Sequence, residues 1–483
     1  MGNVVFREMD ETSRVPAFRM ECDFTQAATY PSERFKVLAV GAKIAAGTAT
    51  EGDVDLIDDD EKPDALYGAG SILALLCKYY RKKYKGAELY GLAMDDAAAG
   101  VPAAGDITFA GTATIAHTLT VYFGDRKAQV RVSVGDTAAE VATALVAATT
   151  TAKMGDLEVT TAVNGGTPEQ VDVTAKNDGP HGNFILMLCE YSIAGAGITD
   201  TVTGMSAGAT EPDIDDVNEF YLEQDYDQIV VGLYFDANLD EGLHTDLALL
   251  QGPMVQNPAL GFAGTPTTYA DAATLSADVN SPYVLIGWGY KFPSLGYKIA
   301  AQIAASEAKH CQTQPNAPLD DVELPGIMPP HDREDWPSEE EKNNCLYNGL
   351  TPLKVDAAGN VRICREIVSY QTNAQGQSDG RYLDRGPVRS MWYIRRYINA
   401  HLSRAYSDPK DRLINDDLLK AVKALVFADL LVMETEKKIC RKVAANKELI
   451  VVEESETEGR VEVSIPADIV PGLHQIFSVL QKQ

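Results

Sequence analysis

The stretch FKVLAVGAKI (35–44), with SILALLCKYYRKKYKG (71–86) and AELYGLAM (87–94) after it, decides the fold. The first segment is a short apolar run and reads as a strand. The second places its apolar residues at helical spacing and ends in a basic cluster, Arg81, Lys82 and Lys83, which describes an amphipathic helix. The third is apolar through most of its length, the character of a strand buried on both faces. Strand, helix and strand in this order predict an α/β layer.

That pattern stops near residue 96 and returns near 228. Between these points Ala, Gly, Thr and Val dominate. Alternation at Ile107 and Phe109, at Leu119, Val121 and Phe123, and at Val130, Val132 and Val134 predicts a β-meander with tight turns. One helix, 138–148, interrupts it, and strands resume at LEVTTAV (157–163) and QVDVTAKN (170–177). After the block come a strand in QIVVGLYF (228–235), a helix over 240–251 and a strand in SPYVLIGW (281–288). Ser338 and Glu341 stand at the two reciprocal positions of a helix capping box. A hairpin over 353–372 turns around Asp356 to Asn360, and helices are expected over 389–404 and 415–445.

Both ends read as extended arms. Residues 1–30 carry short apolar groups separated by charges and Pro16, and 460–481 shows β-branched alternation, a proline break and a last apolar run. A lone strand leaves its backbone unpaired, so such arms are suited to joining a neighbour's sheet edge. The expected fold class is α/β of mixed α+β character and multidomain: an N-terminal arm 1–30, a discontinuous α/β core 31–98 and 211–459, an inserted β-rich domain 99–210, and a C-terminal arm 460–483, both arms able to exchange strands.

A chain of 483 residues is long enough for two to four domains, and 45% hydrophobic with 23% charged residues is the balance of a globular protein. Acidic residues outnumber basic ones 70 to 42, a net charge of −28, which disfavours nucleic acid and anionic membranes as partners. The opening MGNVVFREMDETSRVP lacks the basic-then-apolar pattern of a secretion signal, and Phe6 stands where a myristoylation signal wants Ser or Thr. No catalytic, metal or cofactor constellation is expected. The seven histidines form no HExxH or other close pair, the acidic runs at 58–61 and 213–216 lack the calcium-loop pattern, and no Gly-Lys-Ser/Thr follows Gly68 and Gly70. Adjacent residues rarely orient as base and nucleophile, so His310 and Cys311 are not read as a thiol site. Cys22, Cys77, Cys189, Cys311, Cys345, Cys364 and Cys440 contain no CxxC pair. Dispersed thiols are chiefly buried small hydrophobes; their odd number leaves at least one free or bonded between subunits if the protein is exposed to an oxidising medium.

Three collinear segments resemble the tail-sheath proteins of Mu-like contractile phages. They are 93–148, AMDDAAAG through VATALVAA; 348–398, NGLTPLKV through MWYIRRYI; and 460–481, RVEVSIPADIVPGLHQIFSVLQ. The resemblance implies a non-enzymatic structural subunit that polymerises in stacked rings around an inner tail tube and shortens when the baseplate is triggered. It implies as partners further copies of itself, the tube protein, and baseplate and tail terminator proteins, in a virion tail assembled in the host cytoplasm. It also makes a basic helix a candidate tube-facing element. Seven basic residues stand against two acidic ones over 385–412, and Arg389, Arg395, Arg396 and Arg404 are the candidate contacts for an acidic tube surface. Seven cysteines exceed what the resemblance leads one to expect, so disulfides across subunits are a further expectation for the virion. A surface adhesin or glycan-binding protein, suggested by the Thr/Gly/Ala-rich insertion, is the alternative from another class.

Overall fold

The computed structural model describes residues 35–479 apart from 236, 313, 458 and 477. The N-terminal arm expected over 1–30, and Cys22 within it, lie outside the described residues.

An eight-stranded sheet organises the molecule. Its spatial order is Val361–Ile363, Thr351–Val355, Val284–Trp288, Leu260–Thr265, Gln228–Val231, Lys36–Ala42, Glu88–Met94 and Val54–Leu56. The inner six run parallel and the two edge strands are antiparallel. Parallel strands need covered faces, and the first strand shows both covers. Val37 and Ala39 enter a core shared with the helices Ile72–Lys83 and Gly296–Cys311. Leu38 and Val40 point the other way, into a core built with Leu239, Leu243, Leu247, Ala272 and Leu275. The sheet is thus the middle layer of three.

Local signals explain several helix starts. Ser71 accepts from the Ala74 amide at the head of Ile72–Lys83, and Ser338 and Glu341 form the capping box expected of Glu339–Tyr347. The helix expected over 240–251 starts as a wider-wound π turn, Ala237–His244, and becomes regular only in Thr245–Gln251. The one expected over 415–445 ends at Thr435. After it Lys438 and Lys442 adopt positive φ and the chain folds back to pair Cys440 with Ile469. Ile439, Cys440 and Val443 are buried in this folded-back course instead of on a continued helix.

The chain leaves the central sheet after Met94 and returns at Gln228. In between it forms a four-stranded antiparallel sheet, order Ile198–Ser206, Pro102–Gly111, Gln170–Asp178 and Val159–Val163, and a three-stranded one, order Arg126–Val132, His117–Phe123 and Met187–Tyr191. The helix Ala138–Thr149 packs among them, started by a Thr137–Glu140 capping box. Leu119, Val121, Phe123, Val171 and Val173 alternate inward, as the period-2 pattern requires.

This block is keyed to the central layer by buried charge. Lys298, on Gly296–Cys311, is 1% exposed and pairs with Asp125 at 2.9 Å and Glu158 at 3.0 Å, both from the block. The Tyr79 hydroxyl donates to Asp125 and the Tyr297 hydroxyl to Glu158, while the Ser294 hydroxyl donates to Asp125 at 3.0 Å. The two carboxylates hold the Lys298 ammonium well above its ordinary range against the opposing pull of burial.

Candidate functional site: the basic helix and the terminal segment

Residues 385–479 form the third packed region. The helices Arg385–Ala405 and Asp416–Thr435 meet through Ile394, Ile398, Val422, Val426, Leu430 and Met433. A two-stranded hairpin, Val451–Glu454 with Val461–Ser464, packs beside them, so the start of the stretch expected as a C-terminal arm is paired within its own chain. Beyond it Ile465, Ala467 and Ile469 lie against the same core.

The first two turns of Arg385–Ala405 are anchored in the molecule. The Arg385 side chain donates to Glu366 at 2.7 Å, to Glu307 at 3.3 Å, and to the carbonyl oxygens of Pro315 and Ala317. Arg389 donates to Glu307 at 3.1 Å and to the Asp227 carbonyl at 3.1 Å, and its guanidinium lies 4.5 Å from the centre of the Phe35 ring. Two arginines and two carboxylates are therefore sealed together, since Glu307 is fully buried and Glu366 is 5% exposed. Burial pushes the Glu366 carboxyl up to about 7 although Arg385 opposes the shift.

This geometry corrects part of the expected tube-facing set. Arg389 is 6% exposed and committed to Glu307, so it belongs to the core and cannot present charge outward. Arg395 is half-buried and donates to the Gln251 carbonyl at 3.0 Å; burial and the adjacent Arg396 both lower its proton affinity. Arg396 reaches Asp227 at 3.2 Å and Asp225 at 3.7 Å. Arg404 is exposed in the last turn. Of the four, Arg395, Arg396 and Arg404 are the ones at or near the surface.

Burial also narrows the expected disulfide set. Cys77, Cys311, Cys345 and Cys440 are between 0% and 2% exposed, and burial raises their thiols, to about 12 for Cys311 and Cys345 and about 11 for Cys440. A sealed thiol cannot meet one on another subunit without local unfolding. Cys189 and Cys364 are only partly buried, and all six described cysteines are free. Cys311 donates toward the Ala317 carbonyl at 3.7 Å while His310 beside it faces outward.

Sequence reasoning did not find the two buried charge clusters. The signal was present in GYKIAAQIAASEAKHC: Lys298 and Glu307 are charges inside an Ala- and Ile-rich helix whose neighbours on every side are buried. Such residues are almost never buried unless paired. Among the described residues no helix is long and apolar enough to cross a membrane, and no group of three or more His, Cys, Asp or Glu side chains is arranged to hold a metal ion.

The likeness that the three segments suggest extends along most of the sequence. In particular, the chain is 28% identical over 423 residues to the tail sheath protein of the Mu-like prophage FluMu from Haemophilus influenzae, covering 86% of this chain and 84% of the relative. The resemblance drawn from the three segments is borne out by this relative. No family model matches the chain. Among solved structures, the sheath tail protein of Listeria innocua aligns at TM-score 0.46 with 12% identity, covering 87% of this chain and 88% of that one. That of Desulfitobacterium hafniense aligns at 0.46 and 13%, covering 91% and 93%. The contracted helical sheath of the anti-feeding prophage aligns at 0.49 and 11%, covering 98% and 100%.

Proposed function

We propose that this chain is the structural subunit of a contractile tail sheath, polymerising around an inner tail tube and contracting to drive the tube through a host envelope. The observation that carries the reading is the similarity to a Mu-like tail sheath protein along 86% of the chain. Its work is mechanical rather than catalytic. The partners in this reading are further copies of the chain, the tube protein, and baseplate and terminator proteins; the subunit is assembled in the host cytoplasm and ends in the virion tail.

Contraction requires one set of contacts that persists and another that is exchanged. In this reading the ends of the chain supply tethers between subunits, the three-layer body moves as a rigid unit, and the antiparallel block 99–210 is the outer domain. Irreversible contraction needs new interfaces that are better by many kcal/mol per ring, with a barrier that preserves the extended form. Arg395, Arg396 and Arg404 form the side that meets an acidic tube. Cross-subunit disulfides involve Cys22, Cys189 and Cys364 in preference to the four sealed thiols.

The test is negative-stain electron microscopy of the full chain at high concentration, alone and with its tube protein, with and without reductant. Striated hollow tubes are expected. Single subunits under every condition, including with the tube as template, would remove the reading. Arg404→Glu is expected to leave the fold intact and to reduce co-assembly with the tube, increasingly as ionic strength falls.

A further inference from the structure

Where the loop 316–320, the start of Arg385–Ala405 and the terminal residues 470–474 meet, a cleft of about 100 Å³ is left. It has room for about three water molecules or for one small organic ion. Three enclosed acceptors around it have no donor. The Asn316 amide nitrogen donates to the carbonyls of Lys438 and Val470, at 3.2 and 3.3 Å, which fixes the amide; its Oδ1 is enclosed and accepts nothing. One oxygen of Asp320 meets Nδ1 of His474 at 2.7 Å, while the other is enclosed and accepts nothing. Glu366, 5% exposed, gives one oxygen to Arg385 at 2.7 Å and leaves the other empty.

An enclosed acceptor left empty costs about 1–3 kcal/mol, and native structures contain few of them. Three around one cleft mark a place that lacks a donor. The arginines nearby are already committed. Arg385 divides among Glu366, Glu307 and two carbonyls, and Arg365 grips Asp384, which also lines the cleft, at 2.8 and 2.9 Å. Burial above all, with the charges of Glu307 and Asp320, pushes the Glu366 carboxyl up to about 7 against the pull of Arg385. A metal ion draws its oxygens to within about 2.0–2.6 Å of one point, and no described group of acids converges in that way. A guanidinium or primary ammonium group carries several diverging N–H bonds and can serve separated acceptors at once.

We propose that this cleft is a binding site for a guanidinium or primary ammonium group, held by Glu366, Asp320 and the Asn316 carbonyl. Two sources offer that chemistry: a free organic cation, and an arginine or lysine side chain of a second copy of the chain. The second source rests on the sheath reading.

Calorimetric titration of the dilute, unassembled full chain with methylguanidinium and methylammonium chloride, at pH 8 where Glu366 is ionised, tests the site. Tetramethylammonium chloride has the same charge without an N–H and serves as the control. Saturable binding at low millimolar concentration is expected for at least one of the two N–H cations and not for tetramethylammonium. Glu366→Gln keeps an oxygen for Arg385 but puts an N–H where the empty acceptor stood, and is expected to weaken binding about tenfold or more, the scale of one charge-assisted hydrogen bond. Asp320→Asn is the independent second variant with the same expectation, and Asp417→Asn, at a fully solvated carboxylate, is expected to bind as the native chain does. Absence of saturable binding for both N–H cations, the outcome if water alone fills the cleft, overturns the proposal. An equal response to tetramethylammonium, or unchanged affinity in both cleft variants, overturns it as well. Tube growth with and without the bound cation separates the sources. Slowing of the native chain but not of Glu366→Gln assigns the site to a side chain of a second copy, and unchanged growth assigns it to a free cation. Absence of tubes under every condition would count against the sheath reading, while the titration would still decide the cleft.

Discussion

At the residue scale, the informative groups are charges in places where charge is costly. Glu366 and Glu307 face Arg385 and Arg389 inside the body, and the arrangement holds only while each partner is present. Removing one member of such a cluster leaves the other buried and unpaired, a cost of about 3–5 kcal/mol. Glu366 adds a pH dependence of definite sign. Its folded value of about 7 lies above its ordinary 4.5, so the folded state binds this proton more tightly than the unfolded chain. The contribution is fully present below about 4.5 and is lost as the pH rises through about 7. Glu366→Gln, a permanent mimic of the protonated form, is therefore expected to flatten the decline in stability between pH 5 and pH 7.5. Urea unfolding of both chains at the two pH values checks this. Parallel declines in midpoint would show that Glu366 does not titrate in that interval.

At the element scale, the local reading succeeded where the signal was local. The strands in 35–44 and 87–94, the Ser338–Glu341 box and the β-block after Met94 all depend on residues within one turn or one pleat of each other, and all appear in the structure. The failures have the opposite character. The helix after Asn415 stops at Thr435 because its continuation is needed to pair with Ile469, far along the chain. Arg389 looked like surface charge because its partner, Glu307, is 82 residues away. Lys298 looked unremarkable because Asp125 is 173 residues away. That last pairing carries its own prediction, since it joins the central layer to the antiparallel block. Lys298→Met keeps the length of the side chain but strands Asp125 and Glu158, so the chain is expected to lose about 3–5 kcal/mol of stability at neutral pH. The loss should shrink from pH 7 toward pH 4, since without the Lys298 ammonium burial raises the proton affinity of Asp125 with less to oppose it. Calorimetry across that range measures it, and an equal loss at pH 4 and pH 7 would assign the effect to packing instead of charge.

At the scale of the whole molecule, the question is which surfaces a subunit can offer to others. Net charge of −28 makes copies repel one another at low ionic strength, so any assembly must be carried by specific contacts and should strengthen as salt screens the repulsion. Covalent links between copies would add to those contacts, and burial decides which thiols can take part. Cys77, Cys311, Cys345 and Cys440 are enclosed and hold their protons far above neutral pH, which removes both access and thiolate. Cys189 and Cys364 are partly open, though burial raises their thiols as well. Brief alkylation of the native chain at pH 7.5, read by peptide mass mapping, is expected to label Cys189 and Cys364 ahead of the four enclosed thiols by an order of magnitude or more in rate. Addition of urea should bring all six to similar rates. If Cys77 or Cys345 reacted as fast as Cys364 before unfolding, the body would be opening on the labelling timescale. The rigid three-layer unit required for contraction by exchanged interfaces would then have to give way to a subunit that deforms.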